Sequence, residues 1–163
     1  MLVVSDASPI NILIRIDYVG VLGAMFGHVV IPPVVAAEMR HPNTPQKVRD
    51  WIAQPPSWLA IRAPLFVDQT IDVDPGEREA IGLALELHPD LLLVDDQAAR
   101  KAAMDLGLPV TGTVGVLERA ATQDLLSLVE AVQRLRGTDF RISEDILEQA
   151  LDREVERQQR KHS

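Results

Sequence analysis

Five acidic residues in this sequence stand where carboxylates can do chemistry: Asp6, Glu38, Glu77, Asp95 and Asp96. Asp6 follows the apolar run Leu2-Val3-Val4, and Asp95 and Asp96 follow "LLLV", which reads as a fully buried central strand. In an open parallel sheet, ligands bind beyond the carboxyl ends of the strands, so acids distant in sequence come to share one edge. Converging carboxylates cannot all stay ionised; protonation or a bound cation must relieve their repulsion. The chain has no cysteine, and its four histidines show no zinc-ligand spacing, which leaves an all-oxygen donor set suited to Mg2+ or Mn2+. Such an ion lowers the pKa of a water, orients it for in-line attack and stabilises the leaving oxygen of a phosphodiester.

Two of these acids depend on helix phase. Glu38 lies four residues after Val34 and three after Val35, so it is expected to continue the apolar face of its helix. Glu77 opens "GEREAIGLALELH" and shares a stripe with Ala80, Ile81 and Ala84, whereas Glu79 is rotated by about 200° at about 3.6 residues per turn. Glu77 is therefore the inward acid and Glu79 the outward one. Each acid also has a plainer explanation: Asp6 as a loop acid, Glu38 as a surface charge at a helix end, Glu77 as a first-turn acid facing the helix dipole, and one of Asp95 and Asp96 as an N-cap. The joint pattern outweighs any single member. Ser8-Pro9 reads as a hydroxyl N-cap followed by proline at the first helical position, so capping does not require Asp6.

The elements that must position these acids alternate. Strands are expected at Leu2–Ser5, Val29–Ile31, Leu91–Val94 and Pro109–Thr111, with another at Leu59–Arg62. Helices are expected near 9–17, 33–40, 45–53, 76–88, 97–106 and 114–122. This alternation predicts an α/β fold whose parallel sheet is covered on both faces. The stretch from His41 to Pro75 is rich in proline and least regular, and is read as an excursion over the sheet or the site. From Ser143 onward, Ile146, Leu147, Ala150, Leu151 and Val155 form an apolar stripe amid dense charge. Two readings are open for it: a helix packed on its own domain, or one that meets a partner or a second copy.

Composition excludes other classes. At 163 residues the chain is long enough to bury a core, and 47% hydrophobic with 25% charged residues is an ordinary globular balance. Every apolar stretch is interrupted too early to span a bilayer, so a cytoplasmic protein with no membrane association is expected. The net charge of −8 argues against broad non-specific nucleic-acid binding, but not against a local basic patch or a metal-bridged phosphate. No Walker A loop, GxGxxG or GxSxG occurs.

Taken together, "VVSDAS", Glu38, "DPGEREAIGLALE", "LLLVDDQAAR" and "GTVGVL" resemble the PIN-domain family of metal-dependent nucleases, in a bacterial and archaeal branch related to VapC-like toxins. The resemblance covers roughly residues 1–125. It implies a PIN-like three-layer sandwich with a central parallel sheet of about five strands flanked by helices, as a nuclease domain over 1–140 followed by a C-terminal helix over 141–163. It also implies RNA cleavage by one or two Mg2+ or Mn2+ ions, with Asp6, Glu38, Glu77 and Asp96 as the four family acids. Asp95 stands where the family often has asparagine and is expected as an additional metal ligand or a supporting group. Val94 replaces a threonine and Ala7 a hydroxyl-bearing residue. Ser8 matches a family hydroxyl, with the N-cap role equally open. The implied partners are an RNA substrate, a small antitoxin and a second copy of the chain in a dimer.

Three further polar residues and two tryptophans accompany this set. Arg100 lies four positions after Asp96 and reads either as its salt-bridge partner or as a phosphate clamp. Asn11, inside an apolar helix, reads as a hydrogen-bond donor to an acid or as a satisfied buried amide. Thr113 is expected to cap the following helix rather than line the site. Trp51 and Trp58 are expected to pack an irregular segment rather than stack bases. Two rivals to the nuclease stand: a Mg2+-dependent phosphatase or receiver-like enzyme phosphorylated on Asp6, and a non-catalytic interaction protein.

Overall fold

The computed structural model describes residues 1–162. Its strands are β1 (Leu2–Ser5), β2 (His28–Ile31), β3 (Leu59–Ile61), β4 (Leu91–Leu93) and β5 (Val110–Thr111). Its helices are α1 (Ala7–Arg15), α2 (Gly20–Phe26), α3 (Pro33–Arg40), α4 (Gln46–Ala53), α5 (Pro75–Leu87), α6 (Gln97–Asp105), α7 (Thr113–Thr122), α8 (Leu128–Arg136) and α9 (Glu144–Lys161). All five strands are parallel, in the order β3-β2-β1-β4-β5. Chain order runs outward from β1 to β3 on one side and restarts with β4 on the other. The reversal between β1 and β4 is a topological switch point, the place where such sheets bind ligands.

The sheet forms because its strands can bury both faces. Val3 and Val4 are both fully buried although successive strand residues point to opposite faces. One face is a single apolar cluster: Val4, Val30 and Leu92 from the sheet meet Ala80, Ile81, Leu83 and Ala84 of α5 and Ala99 and Ala103 of α6. Small residues on these helices let them lie close to the strands. Gly107, at φ 80°, ends α6, and Leu108 N donates back to Ala103 O at 3.1 Å.

Three sequence expectations change. α1 begins at Ala7 rather than Pro9, so Asp6 occupies the N-cap position, yet no side-chain cap bond forms there and Ser8 lies inside the first turn. α2 and α8 are helices that the pattern did not announce; α2 carries two glycines in seven residues, which mutes its signal. Within the irregular region, 62–74 holds neither helix nor strand, but it runs along α5 rather than free. Arg78 of α5 donates to Ile71 O, Val73 O and Gln69 Oε1, and Glu86 accepts from Leu65 N and Arg62 Nη2. A Cβ on Gly82 would fall 2.8 Å from Phe66 O, so only glycine admits this backbone.

The chain divides into two compact units, Met1–Thr113 and Val114–Ser163. The first holds the whole sheet and every acid named above. In the second, α8 and α9 pack together, Leu147 and Ala150 are buried, and Ile146 and Val155 stay exposed. Arg153 grips Glu118 with two hydrogen bonds, at 2.8 and 3.0 Å. Among the described residues, no helix is long and apolar enough to cross a membrane.

Candidate active site

The ends of β1 and β4 flank the switch point, and Asp6 N donates to Leu93 O at 2.9 Å across it. This bond fixes the Asp6 backbone at the sheet edge, where only 5% of the residue is exposed. Its Oδ1 is buried without any hydrogen-bond partner. Burial pushes the carboxyl up to about 7; the Ala7 amide pulls it down in part, and the charges of Asp74, Glu38 and Asp95 push it further up.

Glu38 arrives from the last turn of α3. That helix buries Val35, Ala36 and Met39, so Glu38 does not lie on the core face as its spacing suggested and is exposed as a residue. Its carboxylate nevertheless rests against the first turn of α5: a Cβ on Gly76 would overlap Glu38 Oε1 and lie 3.3 Å from Asp6 Oδ1. This one-sided cover raises the Glu38 pKa, and Asp74 adds to it.

The α5 N-terminus contributes two acids through a capping box. Asp74 Oδ1 accepts from Glu77 N at 2.8 Å, and Glu77 Oε1 accepts from Asp74 N at 3.1 Å. Glu77 is 6% exposed, inward as expected. Burial raises its pKa first; the Asp74 amide opposes this, and the charges of Asp74, Asp6 and Asp96 reinforce it. Asp74 was missed as a site residue, although it raises the pKa of Asp6, Glu38 and Glu77 alike. "DPGE" carried its signal, an N-cap acid three residues before a glutamate.

The adjacent pair after β4 separates by role. Asp96 caps α6, its Oδ2 accepting from Ala99 N at 3.0 Å, and is exposed. Asp95 Oδ1 accepts from Thr113 N at 2.7 Å, and Asp95 Oδ2 accepts from Thr113 Oγ1 at 2.7 Å and Ser8 Oγ at 3.1 Å. The hydroxyls of Ser8 and Thr113 therefore serve Asp95 rather than capping their own helices. Among the described residues, Asn11 makes no hydrogen bond to an acid, and Arg100 makes no ion pair with Asp96. Arg100 Nη1 instead lies 3.3 Å from where a Gly112 Cβ would be. Trp51 and Trp58 pack together, ring centroids 5.7 Å apart.

Among the described residues, no three histidine, aspartate or glutamate side chains enclose a ready-made ion site. The donor set still fits a hard divalent cation. It is all carboxylate, it contains a buried oxygen with no partner, and Gly76 leaves bare the volume that Asp6 and Glu38 face. Among the described residues, Asp6, Glu38, Glu77 and Asp96 each keep at least one oxygen that accepts no hydrogen bond.

Comparison with known proteins identifies the family and agrees with the fold. A PIN-domain family model matches residues 2–156. Among solved structures, the fold is similar to a PilT N-terminus domain protein from the hyperthermophilic archaeon Sulfolobus solfataricus P2. The TM-score is 0.56 at 20% identity, over 74% of this chain and 93% of that one. At that identity the likeness is one of fold. No curated protein matches the sequence.

Proposed function

The chain belongs to the PIN-domain family, whose members are generally metal-dependent nucleases, and from that premise we propose that it is an endoribonuclease working through Asp6, Glu38, Glu77 and Asp96. One observation carries the reading. Asp6 Oδ1 is buried, unpartnered and turned towards the volume that Glu38 shares at the switch point of the sheet. An unsatisfied carboxylate oxygen among other acids is costly unless a proton or a cation relieves it, and above the raised pKa of Asp6 a cation does so. Mg2+ or Mn2+, when bound, supplies a water of lowered pKa and stabilises charge on the leaving oxygen.

The residues of the chain do the rest. The Asp6 amide, bonded to Leu93 O, holds the carboxylate at the edge, and the Asp74–Glu77 box fixes the α5 terminus that Glu38 leans upon. Arg100, without an ion pair among the described residues, borders the acids and is suited to a backbone phosphate of the RNA. The toxin role, the antitoxin partner and the dimer rest on the resemblance to VapC-like proteins. Phosphorylation of Asp6 is a poorer reading, since a phosphoacceptor must be reached and Asp6 is 5% exposed.

The test is cleavage of a mixed pool of structured and single-stranded RNA in Mn2+ or Mg2+, with chelator and Asp6→Asn controls. Metal-dependent cutting that disappears in the variant is expected. Cutting that survives in Asp6→Asn, or no cutting by folded protein, overturns the reading.

A further inference from the structure

We propose that Asp95 is a positioning residue: its carboxylate fastens the β1–α1 turn and the Gly112–Thr113 turn to the end of β4, and it leaves cation binding to the other acids. This rests on the proposed reading of the acidic site and deepens it, separating the acids that hold an ion from one that holds the frame. Asp95 lies two residues past β4, whose pairing with β5 is carried on by Val94 N donating to Thr111 O at 3.0 Å. Its side chain then reaches both neighbouring turns, Ser8 on one side and Thr113 on the other.

The contrast with Asp6 decides the role. Three donors fill Asp95, out of about four acceptor positions on a carboxylate. Thr113, the source of two of them, is fully buried, so this pairing is shielded from competing water. The remaining side faces Gly112, where a Cβ would lie 2.7 Å from Asp95 Oδ1 and 3.3 Å from Arg100 Nη1. A guanidinium borders that space, so a metal ion entering there would meet a fixed positive charge. Asp6 Oδ1, by comparison, has no partner at all. Ser8 lies two residues after Asp6, so the clamp also holds the turn that aims Asp6.

A double-mutant cycle on the full chain tests this, using Asp95→Asn, Thr113→Val and the pair. Mn2+ binding is read by titration calorimetry, and stability by urea unfolding in chelator. Both single variants are expected to bind the same number of Mn2+ ions as the parent, with affinity lowered by a similar factor on the order of tenfold. The double variant should be no weaker than the worse single one, because both remove the same contact. Thr113→Ser, which keeps both donors, should restore binding. Loss of one Mn2+ equivalent in Asp95→Asn with Thr113→Val unaffected overturns the proposal. Should Asp95→Asn fail to fold, Thr113→Val decides: unchanged Mn2+ affinity and unchanged urea midpoint overturn it. Should the parent bind no Mn2+, the nuclease reading falls; coupling between the two sites in urea unfolding then still supports the clamp, and additivity refutes it.

Discussion

Asp6 and Glu38, from opposite ends of the first two βα units, turn carboxylate oxygens towards one bare position, the missing Cβ of Gly76. That glycine is worth keeping for space, because inside a helix alanine is favoured over glycine by about 1 kcal/mol. Gly76→Ala should therefore fold at least as well in the absence of metal while displacing Glu38. We expect Mn2+ affinity to fall at least about tenfold, within the range for disturbed ligand positioning. Calorimetric titration beside a thermal melt checks both halves; undiminished binding would mean that the volume is not used.

Metal-free stability should fall as pH rises. The Asp6 pKa goes up from 3.8 to about 7 on folding, so between those values the native state holds a proton that the unfolded chain has released. The unfolded state binds fewer protons there, and stability declines with pH across that window. At about 1.36 kcal/mol per pKa unit, Asp6 alone accounts for about 4 kcal/mol between pH 4 and pH 7. Urea unfolding in chelator should show this slope in the parent and a smaller one in Asp6→Asn, where the raised Glu38 and Glu77 still contribute. The variant should be the more stable of the two at pH 7.5.

The same protons oppose a cation. Asp6, Glu38 and Glu77 all have raised pKa values, chiefly from burial, so ion binding must displace protons at low pH. Mn2+ affinity should rise from pH 6 to pH 8 with proton release, seen as a dependence of the binding heat on buffer ionisation enthalpy. A pH-independent affinity would place the ion elsewhere.

Arg100 has no ion pair among the described residues, so its removal should cost little stability, within about 0.5 kcal/mol. Arg100→Ala should leave Mn2+ binding intact and raise KM for RNA. A variant that lowers kcat alone, with KM unchanged, would contradict a role in phosphate binding.

Away from the site, a Cβ on Gly23 would stand 2.5 Å from the Trp58 indole. Gly23→Ala should push that ring off α2 and disturb its packing on Trp51, destabilising the fold by about 1–3 kcal/mol as overpacking does. These are the only tryptophans, so a shift in emission together with a lower melting temperature reports it directly.

Much of this was legible in the sequence, because the signals are local. Apolar runs such as "LLLV" can only be buried, strand-helix alternation leaves a parallel sheet as the way to bury them, and acids after strands fall at the carboxyl edge whatever the details. The inward turn of Glu77 followed from helix phase alone, since residues three and four apart share a face. The family resemblance rested on the same spacings. What local pattern left open were the partners of side chains. Ser8 and Thr113 each read as caps because a hydroxyl beside a helix start ordinarily bonds the nearest amide, yet both are drawn to Asp95. Glu38 read as part of an apolar face, but it is the neighbouring turn of α5, not α3, that covers its carboxylate. Asp74 read as nothing, although its charge bears on three other acids. Sequence by itself determined that Asp6, Asp95 and Asp96 follow strands and that Glu77 turns inward, because periodicity and strand ends are properties of short stretches. Only the tertiary structure decided which of their oxygens stay empty, because hydrogen bonds are won by proximity in space, and Ser8, Asp95 and Thr113 become neighbours only once β1, β4 and β5 lie side by side.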